Sequence, residues 1–407
     1  MFKVESINLN HKWFSLYDKV FLEKNLRKAF FEVKKNKGAG EVDRVSLWQY
    51  QENLDSNIRE LSRTLQQKTY QPLPVRRVLI PKPDGKLRPL GIPAIRDRVV
   101  QQAFLNILQP IFEKIFHCSS YGYRPNCSPH QAVRKIEEYL TQGYQWIVDA
   151  DIEDFFGTLD HELLIDELNT QIADGSILNL VRQFLEAGIM EEGKVVYQTT
   201  GTPQGGVISP LLSNIYLNSF DWQIAKAGYK LIRYCDDWII LTKIREEAEK
   251  AKQLAEDLLR ERKLRLNFQK TRIVSHQEGF EFLGFWFKDY DGIHRKGPRS
   301  RATKSFKEKI TYLTRRQQPR NVKMVIEKLN PIIRGWGLYF CIGDVKGKFQ
   351  DLDGWIRMRL RSFQMKKRAL SLKASLSYPN QYFRDLGLCF LSDLSIPSFP
   401  AKGQRYR

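Results

Sequence analysis

Apolar and polar positions follow two rhythms along this 407-residue chain. A helical rhythm runs through residues 12–37, where Phe14, Leu16, Phe21, Leu22, Leu26, Phe30 and Phe31 are set among Lys and Glu. The segment NKGAGEV breaks it. Helical spacing returns over 47–68 and 95–116. Residues 246–264 form an amphipathic helix with Ala248, Ala251, Leu254, Ala255, Leu258 and Leu259 on one face. Between the helices lie short apolar runs of strand length. PVRRVLIPKPDGKLRPLGIP (74–93) reads as two strands around a Pro-Asp-Gly turn. QWIVDADI (145–152) and KLIRYCDDWIIL (230–241) read as strands too. Beyond about residue 290 the pattern is mostly helical, and the chain shows no internal repeat.

Charge changes this picture because it is segregated. Residues 1–100 hold 20 Lys/Arg against 11 Asp/Glu, residues 101–291 hold 20 against 28, and residues 292–407 hold 26 against 7. Two basic segments flank an acidic middle. Basic surface suits a polyphosphate partner, because each neutralised phosphate releases a counterion. A hydrophobic fraction of 42% supports a sizeable core and argues against disorder. No apolar run reaches membrane-spanning length and the N-terminus has no secretory h-region, so a cytoplasmic protein with no membrane partner is expected. Five scattered cysteines (118, 127, 235, 341, 389) without a CxxC pair favour reduced thiols over disulfides or a zinc site.

The acidic middle carries the chemistry. In LIRYCDDWIILTK two adjacent acids, Asp236 and Asp237, interrupt an apolar run. Two carboxylates about 4 Å apart repel by about 4 kcal/mol at an effective dielectric near 20, and a divalent cation is the usual compensation. Upstream, DADIEDFFGTLDH places Asp149, Asp151, Glu153, Asp154 and Asp160 within one short stretch, with Asp151 at the end of a strand. If the two arms around Asp236 and Asp237 pair as a hairpin beside that strand, three carboxylates converge in a two-metal phosphoryl-transfer site. An isolated Asp in such a turn is ordinarily a solvated turn residue; two clusters in strand contexts point to a site.

These residues resemble the reverse transcriptases, specifically the group II intron type. YCDD is similar to the YxDD box, and DADIEDFF to the first catalytic motif. TTGTPQGGVISPLLSNIYLNSFD (199–221) resembles the template and nucleotide-binding motif, LIPKPDGKLRPLGIPAIRDRVVQQA (79–103) the fingers motif and SSYGYRPNCSPHQAV (119–133) the one after it. LRLNFQKT (264–271) and FEFLGFWF (280–287) follow in the family's order, and the likeness covers roughly residues 35–365. It implies an α+β right-hand polymerase: fingers and palm with a small antiparallel sheet, then an α-helical thumb or maturase domain. The expected divisions are an N-terminal extension and start of fingers (1–73), fingers (74–144), palm (145–290), thumb or maturase domain (291–365) and a basic tail (366–407).

The resemblance implies an RNA-directed DNA polymerase that adds dNTPs to the 3′-hydroxyl of a DNA or RNA primer on an RNA template. It implies two Mg²⁺ ions, with Mn²⁺ able to substitute. Asp151, Asp236 and Asp237 are the implied catalytic acids and metal ligands, Asp237 the weakest, with Ile152 beside them among the metal- and nucleotide-contacting residues. Asp149 is expected to be a cap or structural acid. Glu153 and Asp154 depart from the Lys or small residues common there. Phe156, five residues after Asp151, is the implied wall against a 2′-hydroxyl, which favours dNTPs over NTPs and disfavours an RNA polymerase. Either Phe155 or Phe156 must pack inward. Lys82 and Arg88 are expected to neutralise the triphosphate, Gln204 to contact the nucleotide, and Lys270 to act as general acid for pyrophosphate release. Tyr234, Gly205 and Gly206 are expected at nucleic acid. Cys235 replaces the family's usual Ala at the primer end, a tolerated change to a small thiol.

In the basic C-terminal part, Arg301, Lys304, Arg315, Arg316 and Arg334 are expected to contact nucleic acid. LNPIIRGWGLYF (329–340) and FQDLDGWIRMRLRSF (349–363) resemble the thumb or maturase helices, which implies binding of structured intron RNA by shape. Trp336, Tyr339, Phe340 and Trp355 could stack on bases, but their helical spacing favours core packing. No HNH-type Cys/His pattern is present, so no second-strand nicking by this chain is expected. The leading reading is a polymerase with maturase function from a mobile intron. The alternatives are a domesticated relative in DNA repair, CRISPR spacer acquisition or phage defence, and a non-catalytic RNA-binding splicing factor, against which the intact acids argue.

Overall fold

The computed structural model describes residues 12–36, 42–43, 45–81, 87–191, 194–197, 200–202, 205–319, 321–366 and 376–394. The chain divides into two compact units, 1–132 with 146–273, and 133–145 with 274–407.

The strands of the first unit are β1 (Val75–Pro81), β2 (Leu87–Ile92), β3 (Trp146–Ala150), β4 (Ile189–Glu191), β5 (Lys194–Val196), β6 (Lys230–Tyr234), β7 (Asp237–Thr242) and the start of β8 (Arg272–Ser275). They build two sheets. One has the order β2-β1-β4-β5, with β1 antiparallel to β2 and parallel to β4. The other has β7 at its centre, antiparallel to β6 on one side and β3 on the other, with β8 beyond β3. Trp238, Ile239, Ile240 and Leu241 on β7 are all buried, which is why its run is continuously apolar: both faces of the sheet are covered.

The long helix Ser209–Lys226 supplies much of that cover, with Pro210 in its first turn. Leu211, Leu212, Ile215, Tyr216, Leu217, Phe220 and Ile224 are buried around nearly its whole circumference. The Phe220 and Trp238 rings meet at 5.4 Å, and burying each such side chain contributes about 1.5–3 kcal/mol. Helix Arg245–Glu261 buries Ala248, Ala251, Ala255, Leu258 and Leu259, the expected stripe, while Leu254 is only half-buried.

Some expected helices are interrupted. Residues 12–37 form two helices, Tyr17–Val20 and Glu23–Lys35, because the backbone of Leu22 is extended at ψ 124°. Residues 47–68 form Leu47–Glu52 and Leu54–Gln66, parted at Asn53.

The second unit holds an antiparallel sheet of β9 (Phe280–Phe282), β10 (Phe285–Tyr290) and β11 (Ile293–Pro298), with β10 central. Helices Ser300–Leu313, Val322–Phe340 and Lys346–Met365 follow. Residues 290/291 lie in the tight turn between β10 and β11, within the second unit. Of the aromatic residues here Phe340 is buried, while Trp336, Tyr339 and Trp355 are half-buried. Trp336 stacks on Phe306 at 4.6 Å and meets Phe340 at 4.9 Å, and Trp355 lies under the Lys307 ammonium.

Candidate active site and nucleic-acid surfaces

The acids meet because of strand register. β6 and β7 form a hairpin in which Tyr234 pairs with Asp237, leaving Cys235 and Asp236 as a two-residue turn. Cys235 takes a positive φ of 62° while Asp236 does not, the pattern of a II′ turn with Cys where Gly is usual. On the other side of β7, Ala150 of β3 pairs with Trp238. The next residue on each strand is Asp151 and Asp237, so these two acids stand at the same end of the ladder, beside Asp236.

The electrostatics report the same gathering. The Asp237 carboxyl touches solvent but is crowded by protein. That desolvation, then the charges of Asp236, Asp151 and Asp149, push it up to about 6, against the lowering effect of Lys270. Lys270 donates to Asp151 Oδ2 at 2.7 Å. Asp149 pairs with Arg272 at 3.0 Å, which makes it a structural acid rather than a helix cap. Clustered carboxylate oxygens that repel one another in this way fit a hard divalent cation. The Cys235 thiol does not compete, since it is buried and desolvation pushes its ionisation well up.

The other expected site residues divide into several groups. Phe155 is buried against Tyr216, so Phe156 is the half-buried one of the pair. Its carbonyl accepts from the Thr202 amide at 2.8 Å. Ile152 is buried in a bridge to Leu266, so any metal or nucleotide contact from it is through the backbone. Gly205 has φ 115°, and a Cβ there would lie 2.7 Å from the Gly91 carbonyl; its smallness serves contact with β2. Gly205 and Gly206 line a cavity of about 630 Å³ together with Ile92, Arg98 and Tyr123. The Tyr123 ring lies 6.2 Å from that of Tyr234. Arg88 is a strand position opposite Ile80. Lys82 and Gln204 lie outside the described residues.

One set of residues was missed in the sequence. Arg233, fully buried on β6, donates to both oxygens of buried Asp221 at 2.7 and 2.5 Å. It also donates to Asn214 Oδ1 at 3.0 Å and to the Cys235 carbonyl at 2.9 Å. Asn214 in turn donates to the Gly122 carbonyl at 2.8 Å. A Cβ at Gly122 would sit 2.4 Å from the Cys235 amide nitrogen. The turn carrying Asp236 is thus held by a guanidinium on the Cys235 carbonyl and packed closely against Gly122, where a side chain would not fit. An Arg inside the apolar run KLIRY, and an Asn and Asp seven apart in an apolar helix, were the available signal.

In the second unit, Arg301, Lys304, Arg315 and Arg334 are exposed and Arg316 is half-buried. Lys304, Lys307, Arg315 and Lys348 line an open groove of about 700 Å³, with Glu308 the acid among its lining residues. No described helix is long and apolar enough to cross a membrane.

A carboxylate cluster at the open end of a central antiparallel hairpin, beside a ribbon-and-helix fingers region and followed by a basic helical region, defines a right-hand nucleic-acid polymerase. Residues 80–287 match the family described as reverse transcriptase (RNA-dependent DNA polymerase), and residues 303–375 match the group II intron maturase-specific domain. The chain belongs to the reverse transcriptases, in their group II intron type. It is similar to Protein YkfC of Escherichia coli K12, 38% identical over 286 residues, 60% of this chain and 74% of that one. It is also similar to the group II intron-encoded protein LtrA of Lactococcus lactis subsp. cremoris, 39% identical over 180 residues, 44% of this chain and 30% of LtrA. A chain of a partial Cas6-RT-Cas1–Cas2 complex superimposes with a TM-score of 0.39 at 28% identity, covering 61% of this chain and 41% of that one. The chain thus spans about three quarters of one relative and less than a third of the other.

Proposed function

We propose that this chain extends a primer with dNTPs on an RNA template, with Asp151, Asp236 and Asp237 holding two Mg²⁺ ions or Mn²⁺ in their place. The observation that carries the reading is the register that sets Asp151 and Asp237 at one end of β3 and β7, beside the Asp236 turn. Magnesium bound there supplies activation of the attacking 3′-hydroxyl and charge neutralisation at the triphosphate.

The protein residues do the positioning. Asp151 and Asp236 are the direct ligands, and Asp237 is the weaker one. Lys270, held at the cluster by Asp151, gives its proton to the departing pyrophosphate. Phe156 presents the ring that stands against a 2′-hydroxyl. Lys82, Arg88 and Gln204 serve the triphosphate and base, and Gly205 and Gly206 bring backbone beside Tyr234 toward the template–primer. The exposed cations of the second unit bind RNA, including the structured intron RNA of a maturase role.

Primer extension with a DNA primer on an RNA template tests this, run with Mg²⁺, Mn²⁺ or chelator and with dNTPs or rNTPs. Asp236→Ala should abolish extension while RNA binding persists. Extension that survives in Asp236→Ala, or that proceeds in chelator, would overturn the assignment.

A further inference from the structure

A second group of potential ligands lies in the second unit, outside the polymerase chemistry. Asp289 and His294 face each other across the β10–β11 hairpin as paired residues. His276 reaches them from the end of β8. Its backbone is fixed at both ends: its amide donates to the Gln145 carbonyl at 2.8 Å, and its carbonyl accepts from the Asp289 amide at 3.0 Å. One ligand atom from each of the three side chains lies within 4.8 Å of the other two.

The hydrogen bonding of this group is incomplete. Asp289 Oδ1 accepts from the Gly292 amide at 2.7 Å, which leaves Oδ2 for the imidazoles. That oxygen is 3.4 Å from His294 Nδ1 and 3.9 Å from His276 Nδ1. Neither contact is a hydrogen bond. His276 Nδ1 and Nε2 and His294 Nδ1 are all buried without a partner, and His276 is 1% exposed. Leaving a buried polar atom unpaired is costly, so such groups call for a water or an ion.

The spacing favours an ion. Tetrahedral ligands at about 2.0–2.1 Å from zinc lie roughly 3.3–3.5 Å from one another. The 3.4 Å contact already fits, the 3.9 Å contact needs a few tenths of an ångström of closure, and the three ligand atoms all lie within 4.8 Å of one another, so the two imidazoles close by up to about an ångström and a half. Two imidazoles and one carboxylate are a donor set for a borderline transition metal, whereas Mg²⁺ and Ca²⁺ take oxygen. His294 is 28% exposed on its side chain, which leaves room for a water as fourth ligand. The parallel Phe280 and Phe287 rings, 4.8 Å apart, give the group an apolar floor beside His276.

We propose that His276, Asp289 and His294 form a site for a divalent transition-metal ion of the zinc class. The ion pins the β10–β11 hairpin to the end of β8, and its binding free energy adds to the stability of this sheet. The site is separate from the aspartates of the polymerase centre in its residues and in the metal it selects.

The test uses the full chain carrying Asp236→Asn, so that the polymerase carboxylates compete less for metal. The protein is stripped with chelator and titrated with Co²⁺ alone, followed by visible absorption, and the Co²⁺ is then displaced with Zn²⁺. One Co²⁺ per chain with nitrogen–oxygen ligand-field bands and no thiolate charge transfer is expected, fully displaced by Zn²⁺. His294→Ala and Asp289→Asn each remove one proposed ligand. Each should weaken binding by more than the 10–100-fold that losing an outer partner costs, with metal-free thermal melts unchanged. Zn²⁺ should raise the melting temperature of the parent and of neither variant. Absence of stoichiometric binding, or equal binding by parent and variants, would overturn the proposal.

Discussion

Arg233 and Asp221 form a forked ion pair, 2.7 and 2.5 Å long, with neither side chain exposed, and the same guanidinium holds the Cys235 carbonyl at 2.9 Å. Removing one partner leaves a buried charge, so Asp221→Asn should cost about 3–5 kcal/mol in denaturant unfolding. Replacing both partners with apolar residues of similar volume is close to neutral for stability. The double variant Asp221→Leu with Arg233→Met should therefore stay folded at a cost set by the Asn214 Oδ1 and Cys235 carbonyl acceptors left without their donor, while primer extension falls because the Cys235 carbonyl has lost its anchor. Full activity in that folded double variant would show that the pair serves packing alone.

How much of this was legible in the sequence depends on the distance a signal has to travel. The arms around Asp236 and Asp237 were readable because apolar residues on both faces specify a buried strand within a few positions. Their meeting with Asp151 was readable because the same logic applied to β3. The partner of Arg233 was not. Asp221 lies twelve residues away on a helix, and nothing local says which acid a buried Arg will find. The His276, Asp289 and His294 group was passed over for a similar reason. They form no spaced motif in the sequence; hairpin register brings these three together. The helix break at Leu22 has no Gly or Pro to announce it. Lys82 and Gln204 lie outside the described residues, so their expected roles rest on the motif alone.

Phe155 is buried and Phe156 is half-buried, with the Phe156 carbonyl tied to the Thr202 amide. The backbone anchor should survive truncation of the ring. Phe156→Ala should thus admit rNTPs, narrowing the dNTP preference by about 10–100-fold, the scale of a small steric discrimination. Single-nucleotide incorporation with matched dNTP and rNTP pools measures it. Unchanged discrimination would place the wall elsewhere.

Asp97 accepts from the Tyr70 hydroxyl at 2.6 Å and from the Leu73 amide at 3.0 Å, yet desolvation wins and pushes its carboxyl up to about 6 from 3.8. Between those values the folded chain binds more protons than the unfolded one, so this group lowers stability as pH rises. The penalty is absent below about 4, complete above about 6, and on the order of 3 kcal/mol. Asp97→Asn cannot titrate and has one acceptor oxygen for two donors. It should be clearly less stable than the parent at pH 4.5, and the gap should shrink by pH 7. Urea unfolding at several pH values checks the sign; a gap that widens with pH would contradict it.

Lys304 and Arg315 are exposed at the rim of the groove on helix Ser300–Leu313, and Arg315 lies 4.9 Å from the centre of the exposed Tyr312 ring. Cations presented this way release counterions when they meet phosphates. Affinity for a template–primer duplex should fall steeply with salt, with a log–log slope of about −0.9 per phosphate contacted. Lys304→Ala and Arg315→Ala should each weaken binding at low salt and flatten that slope by about 0.9, with little dependence on template sequence. Neither side chain supports the core, so thermal stability should hold. Fluorescence anisotropy across a salt series reads affinity and slope together. Weakened binding with an unchanged slope would mean that the lost contact is not to phosphate, and an unchanged affinity would remove this groove from the nucleic-acid path.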